Sequence, residues 1–184
     1  PGVVTGLFAG VRAASKAGDG VALLTPAYPP MVDAIEKTGR RLVAVPLDGE
    51  GGRYRIDFAA LADALENEDV TVLILCSPHN PTGRVWTHTE LEEIAHLARA
   101  NDVTVIADEI HADIVLEGTF LQWIDFRPLG LDERELTRLH DREAHVFFEH
   151  GRSFGAPGFE RLNLGTPTRV LEEALVRLAE AHGR

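Results

Sequence analysis

Val70–Cys76 (VTVLILC) runs directly into Ser77-Pro78-His79-Asn80-Pro81-Thr82-Gly83, an apolar run that ends abruptly in a polar, Pro/Gly-rich turn. A strand with almost no polar face belongs in a parallel sheet that helices cover on both sides. The same texture recurs on either side of it, in Val21–Thr25 (VALLT), Arg41–Val45 (RLVAV) and Val103–Ala107 (VTVIA). Helical patterns fill the intervals. Leu91, Ile94, Ala95 and Ala98 recur at helical spacing behind a Thr89-x-x-Glu92 capping box, and Phe58–Leu65 follows Asp57 in the same manner. Residues 1–117 are therefore expected to form an α/β unit, a partial and mostly parallel sheet with flanking helices.

From Phe120 the pattern changes. Leu121–Phe126 (LQWIDF) alternates apolar and polar residues like a half-exposed strand, and Asp132–Ala144 reads as a charged amphipathic helix. Val146–Phe148 and Phe159–Leu164 are predicted to be short strands. Arg169–His182 is predicted to be a closing helix with Val170, Leu171, Ala174, Leu175 and Leu178 on one face. This order predicts a small C-terminal α+β domain over residues 118–184, with the boundary near Glu117-Gly118 and no internal repeat.

The 184 residues (20.1 kDa) are 45 % apolar and 26 % charged, ordinary values for a globular chain able to bury a core. A formal charge of −11 argues against a nucleic-acid or anionic-membrane partner. Cys76 is the single cysteine, which excludes an internal disulfide and a thiolate-built zinc site. No apolar run approaches the roughly 20 residues needed to cross a bilayer, and no basic-then-apolar leader opens the sequence. A soluble, cytoplasmic protein is the expectation, although Pro1-Gly2 need not be the natural start.

Ligands of open parallel sheets bind beyond the carboxyl ends of the strands. Two strand ends carry unusual polar residues here: Ser77–Gly83 after VTVLILC, and Asp108-Glu109-Ile110-His111 after VTVIA. Taken singly, the first is a rigid Pro/Gly turn and Asp108 is a cap or an arginine partner. Together, on strands expected to be neighbours, they point to a site. Pro1-Gly2-Val3-Val4-Thr5-Gly6-Leu7 opens a helix whose free amides suit a phosphate. Neither a GxxxxGK[ST] loop nor a GxGxxG turn occurs, so the common nucleotide folds are unsupported. A metal site from Asp108, Glu109, His111 and Asp113 is disfavoured, because alternating side chains of an extended strand end point to opposite faces.

Ser77–Trp86 (SPHNPTGRVW), Ala107–Asp113 (ADEIHAD) and Thr25–Pro30 (TPAYPP) together resemble the pyridoxal-phosphate enzymes of aspartate-aminotransferase fold, the aminotransferase class I/II superfamily. The DEIH variant resembles the cystathionine β-lyase branch of MalY/PatB type. Glu117–Asp125 (EGTFLQWID), Leu129–Leu139 (LGLDERELTRL), Gly151–Gly155 (GRSFG) and Phe159–Pro167 (FERLNLGTP) resemble that branch's small domain. The resemblance implies pyridoxal 5′-phosphate as cofactor, with weak or absent binding expected in this chain, and for the intact family a small amino-acid substrate and a homodimer. It implies that Tyr28 stacks on the pyridine ring, Asn80 bonds its phenolic oxygen and Asp108 pairs with its nitrogen, keeping the ring electron-withdrawing. It further implies that the Val3 and Val4 amides hold the phosphate and that His111 packs beside the cofactor. Arg161 would clamp the substrate's α-carboxylate by a two-pronged bond that lysine cannot copy.

One part is missing. The family's Schiff-base lysine belongs in a serine-rich segment after the DEIHAD strand, but Ala112–Phe120 (ADIVLEGTF) leads straight into small-domain sequence. Only Lys16 and Lys37 occur, both expected far from the carboxyl edge of the sheet. The resemblance therefore implies a C–S β-lyase by descent, impaired by deletion of the lysine segment and of the strands that followed DEIHAD. The neighbouring alternatives are an aminotransferase, or a non-catalytic fragment that binds the cofactor weakly or pairs with a full-length relative. Loss of the lysine removes a general base, roughly 10²- to 10⁴-fold in rate, together with the covalent anchor of the cofactor.

Overall fold

The computed structural model describes residues 2–49, 53–112 and 120–183. They fall into two compact units, one of Pro1–Asn80 with Arg84–Thr119 and one of Pro81–Gly83 with Phe120–Arg184. The boundary expected at Glu117-Gly118 lies outside the described residues, as do Asp113 and most of Ala112–Phe120.

Alternation along two strands builds the first unit. In β1 (Gly20–Thr25) and β3 (Val70–Cys76), Ala22, Leu24, Leu73 and Leu75 face one way, and Val21, Leu23, Val72, Ile74 and Cys76 the other. The first set packs against Leu61, Ala64 and Leu65 of α3 (Phe58–Asn67) and Ile94 and Ala98 of α4 (His88–Ala100). The second packs against Leu7 and Val11 of α1 (Val3–Ala14) and Met31, Ala34 and Ile35 of α2 (Pro29–Glu36). With β2 (Arg41–Pro46) and β4 (Thr104–Asp108) the sheet is parallel, in the order β2-β1-β3-β4. Burial of each large apolar side chain contributes about 1.5–3 kcal/mol, so the two faces of β1 and β3 dominate this unit's stability.

Several expectations need correction. β2 and β4 are edge strands rather than strands covered on both faces, with Ala44, Thr104, Val105 and Ala107 exposed. The capping box is Thr87 with Glu90, not Thr89 with Glu92. The Thr87 hydroxyl accepts from the Glu90 N–H (3.2 Å), and Glu90 Oε2 accepts from the Thr87 N–H (2.7 Å). Trp86 just before the cap and Leu91 in the first turn join the same apolar cluster, which fixes this start over the other. On α4, Leu97 rather than Ala95 completes the inward face. Asp57 caps α3 as expected, accepting from the N–H groups of Ala59 and Ala60, each at 3.0 Å.

The second unit is an antiparallel sheet of order β5-β7-β6, from β5 (Leu121–Asp125), β6 (Glu149–His150) and β7 (Phe159–Asn163). Val146–Phe148 is not a strand: its alternation buries Val146 and Phe148, and pairing begins only at Glu149. The predicted helix over Asp132–Ala144 is α5 (Glu133–Thr137) followed by π-helical turns over Arg138–Ala144. The wider turns bring Leu139, His140 and Ala144 inward together. On α6 (Thr168–Ala181) the packed stripe is Ala174, Leu178 and Ala181, while Val170 and Leu175 face solvent. Among the described residues no helix is long and apolar enough to cross a membrane.

Candidate active site at the carboxyl edge of the sheet

The order β2-β1-β3-β4 places a topological switch between β1 and β3, whose following segments leave in opposite directions. Leu23 pairs with Ile74 and Cys76 with Asp108, so Thr25, Cys76 and Asp108 end three adjacent strands nearly flush. The Ser77 N–H donates to the Asp108 carbonyl at 3.0 Å, closing β3 onto β4. Tyr28, half-buried at the start of α2, and buried Asn80 follow directly from the first two ends.

Asp108 is 5 % exposed. It has the strand parity of Ile106, which packs in the cluster under α1. A Cβ on Gly10 would sit 3.2 Å from Ile106 Cδ1, so helix and strand touch here. α1 ends beside the amino end of β1 and runs back along the strands, so Val3 and Val4 in its first turn lie towards the carboxyl edge on the face of Asp108. Their N–H groups precede the first intrahelical bond, Gly6 N–H to Gly2 O at 3.2 Å, and point off the helix end. His111 is half-buried in a turn closed by the Ala112 N–H on the Glu109 carbonyl (2.9 Å). The structure thus brings Val3, Val4, Tyr28, Asn80, Asp108 and His111 to one edge of one unit. Arg161 stands on β7 of the other, 8 % exposed, donating from Nη2 to the Glu149 carboxylate and lying 5.1 Å over the Phe154 ring.

The two lysines stand at the opposite edge. Lys16 lies between α1 and β1, its backbone N–H donating to Asp19 Oδ2 at 2.7 Å. Lys37 caps the end of α2, its ammonium 2.7 Å from Asp33 Oδ2 in an exposed pair. The six residues of β1 separate that edge from Thr25, about 20 Å at roughly 3.3 Å each.

Reasoning from sequence alone missed the brace beneath the site. His79 is 1 % exposed, tilted against Trp86 at 5.5 Å, and its N–H donates to the Arg84 carbonyl at 2.7 Å. Trp86 Nε1 donates to the Cys76 carbonyl at 2.9 Å, and Arg84 pairs with Glu90 at 2.5 Å. A His and a Trp flanking a Pro/Gly turn inside an apolar context were the available signal. Burial holds the His79 pKa down at about 4, against a weaker opposing bond to the Leu24 backbone. Burial, with the nearby Asp108 charge, pushes the Cys76 thiol up to about 12, so it stays protonated and is no nucleophile.

A pH dependence follows. His79 is neutral in the folded chain and takes up a proton readily only when unfolded, so its contribution is complete above about pH 6.5 and is lost as pH falls through about 4. Unfolding measured from pH 7 to pH 4 is expected to show a loss of about 3 kcal/mol that His79→Gln does not share. Parallel profiles for the two proteins would contradict it.

Among the described residues no three His, Cys, Asp or Glu side chains are grouped to hold an ion, and Asp113 lies outside those residues.

Residues 1–119 match the family described as aminotransferase class I and II. Cystathionine β-lyase PatB of Bacillus subtilis is 43 % identical over 118 residues, which are 64 % of this chain and 30 % of that protein. Protein MalY of Escherichia coli is 41 % identical over 105 residues, 57 % of this chain and 27 % of that protein. The chain thus spans about 30 % of the length of the curated relatives it matches. The crystal structure of cystalysin from Treponema denticola, which contains pyridoxal 5′-phosphate, superposes with a TM-score of 0.93 at 25 % identity. That match covers 99 % of this chain and 75 % of cystalysin, running on through the C-terminal unit where the family match stops. A parallel sheet of order β2-β1-β3-β4 with its polar residues at one edge is accounted for by descent: the chain belongs to the aminotransferase class I and II family.

Proposed function

We propose that this chain retains the non-covalent half of a pyridoxal 5′-phosphate site of C–S β-lyase type and lacks the amine needed for turnover. The observation that carries the reading is Asp108, a buried carboxylate at the end of a strand, on the face of the sheet where α1 presents its amino end. A carboxylate kept from water with one local bond, the Ile110 N–H at 3.2 Å, fits a cationic ring nitrogen. Asn80, buried four residues beyond the end of β3, the strand that pairs with β4, fits the phenolic oxygen. Tyr28 offers a flat face at the end of β1, and the Val3 and Val4 amides offer phosphate donors. When bound, the cofactor supplies an electron sink for the α-carbon of an amino acid. This chain's residues would hold the ring, its charge and its phosphate.

Arg161 is proposed to recognise the α-carboxylate, a role supported by a buried guanidinium that already binds a carboxylate, that of Glu149. A substrate with a β-carbon–sulfur bond is favoured by the likeness to PatB. A homodimer and a cytoplasmic location belong to the same proposal, as does a domain boundary near Glu117-Gly118. What the site cannot do is move the α-proton, because neither lysine stands at this edge of the sheet.

Equilibrium dialysis against pyridoxal 5′-phosphate tests the reading. Saturable binding is expected, and Asp108→Asn is expected to weaken it about tenfold or more, the worth of one charge-assisted bond. Asp33→Asn, on the exposed face of α2, should change nothing. Equal affinity in the Asp108→Asn protein would overturn the assignment.

A further inference from the structure

The second unit contains a cleft of about 650 Å³ that the site above does not use. One wall is α5 with the π-helical turns, carrying Arg134, Arg138 and Arg142; the other is the short helix Gly151–Phe154, carrying Arg152, with His150 at its start. Spacing by four residues sets the three helical arginines on one face, within about 12 Å along the axis. Glu133 is the one acidic side chain in the lining, and it spans the walls to Arg152 at 3.2 Å. Four arginines thus converge in a protein whose formal charge is −11.

Their pairing leaves capacity. Among the described residues Arg134 and Arg142 have no side-chain partner. Arg138 pairs with Glu143 and Arg152 with Glu133, both on the surface. Exposed pairs of this kind contribute little, about 0–1 kcal/mol, so an incoming anion can replace them. His150 is held in place from beneath: Nδ1 lies 3.0 Å from buried Glu160, which leaves Nε2 as the nitrogen available to the cleft.

We propose that this cleft binds a compact polyphosphate group, of a nucleoside triphosphate or of inorganic polyphosphate. Planar guanidinium forks suit phosphate oxygens, and several forks within one cleft favour several linked phosphates over a single charge. The volume lies within the range of small-ligand sites. The cleft lies wholly in the second unit, so the proposal stands apart from the cofactor reading.

Calorimetry on the full chain with tripolyphosphate, and separately with ATP, at low ionic strength tests it. Saturable binding is expected, weakening with added salt. The exposed double substitution Arg134→Ala/Arg142→Ala should weaken it about tenfold or more while circular dichroism stays unchanged. Asp108→Asn should leave it intact, separating this site from the cofactor's. Tighter binding of ATP than of tripolyphosphate assigns the nucleotide, and equal binding assigns the polyphosphate alone. Absence of saturable binding, or binding indifferent to the double substitution, would overturn the proposal.

Discussion

Glu160→Ala is expected to destabilise the C-terminal unit by about 3–5 kcal/mol, the cost of breaking a buried, hydrogen-bonded charged group. Glu160 is 2 % exposed and holds two imidazoles, His140 Nδ1 at 2.5 Å from Oε2 and His150 Nδ1 at 3.0 Å from Oε1. A carboxylate only accepts, so both rings present Nδ1–H to it. His140 is fully buried, with Phe126 and Phe148 each 4.7 Å away, and its Nε2 lies 3.1 Å from His182 Nε2 at the end of α6. The alanine variant leaves a buried N–H without its acceptor and a cavity beside it. Trp123 lies in this unit, stacked on Phe159 at 5.5 Å. Its fluorescence in a denaturant titration reads the loss, and a change below about 1 kcal/mol would contradict the role given to this network.

Incubated with pyridoxal 5′-phosphate and cystathionine, the purified chain is expected to release pyruvate no faster than the cofactor alone. A positioned base contributes about 10²- to 10⁴-fold, and among the described residues neither lysine stands at this edge of the sheet. Lys37 is engaged with Asp33 on the far edge, and Lys16 precedes β1. Pyruvate formed steadily above the cofactor-only rate, from a preparation free of other enzymes, would show that another group moves the proton.

The strands that carry the site were legible because β1 and β3 are covered on both faces and so lack polar positions. β2 and β4 share that composition, yet lie at the edges; sequence order does not reveal lateral order. The choice between Thr87 and Thr89 as cap rested on Trp86, whose burial depends on the packed sheet. Tyr28, Asn80 and Asp108 were legible as polar residues directly after apolar runs. The role of His79 was not, since its burial and its bond to the Leu24 backbone arise only once the strands have packed. The Glu160 network joins residues from β6, β7, the π-helical turns and α6, with no periodicity to betray it. The arginine cleft was hidden for a different reason: net charge averages over the surface, and the opposing wall at Arg152 meets Arg134, Arg138 and Arg142 only after folding.

The most direct test is the protein's mass after borohydride reduction with limiting cofactor, followed by peptide mapping. No stoichiometric adduct is expected, only slight and comparable labelling of the exposed Lys16 and Lys37. A one-to-one adduct on a single lysine would contradict it, because that amine would then have to reach the edge where Asp108 stands.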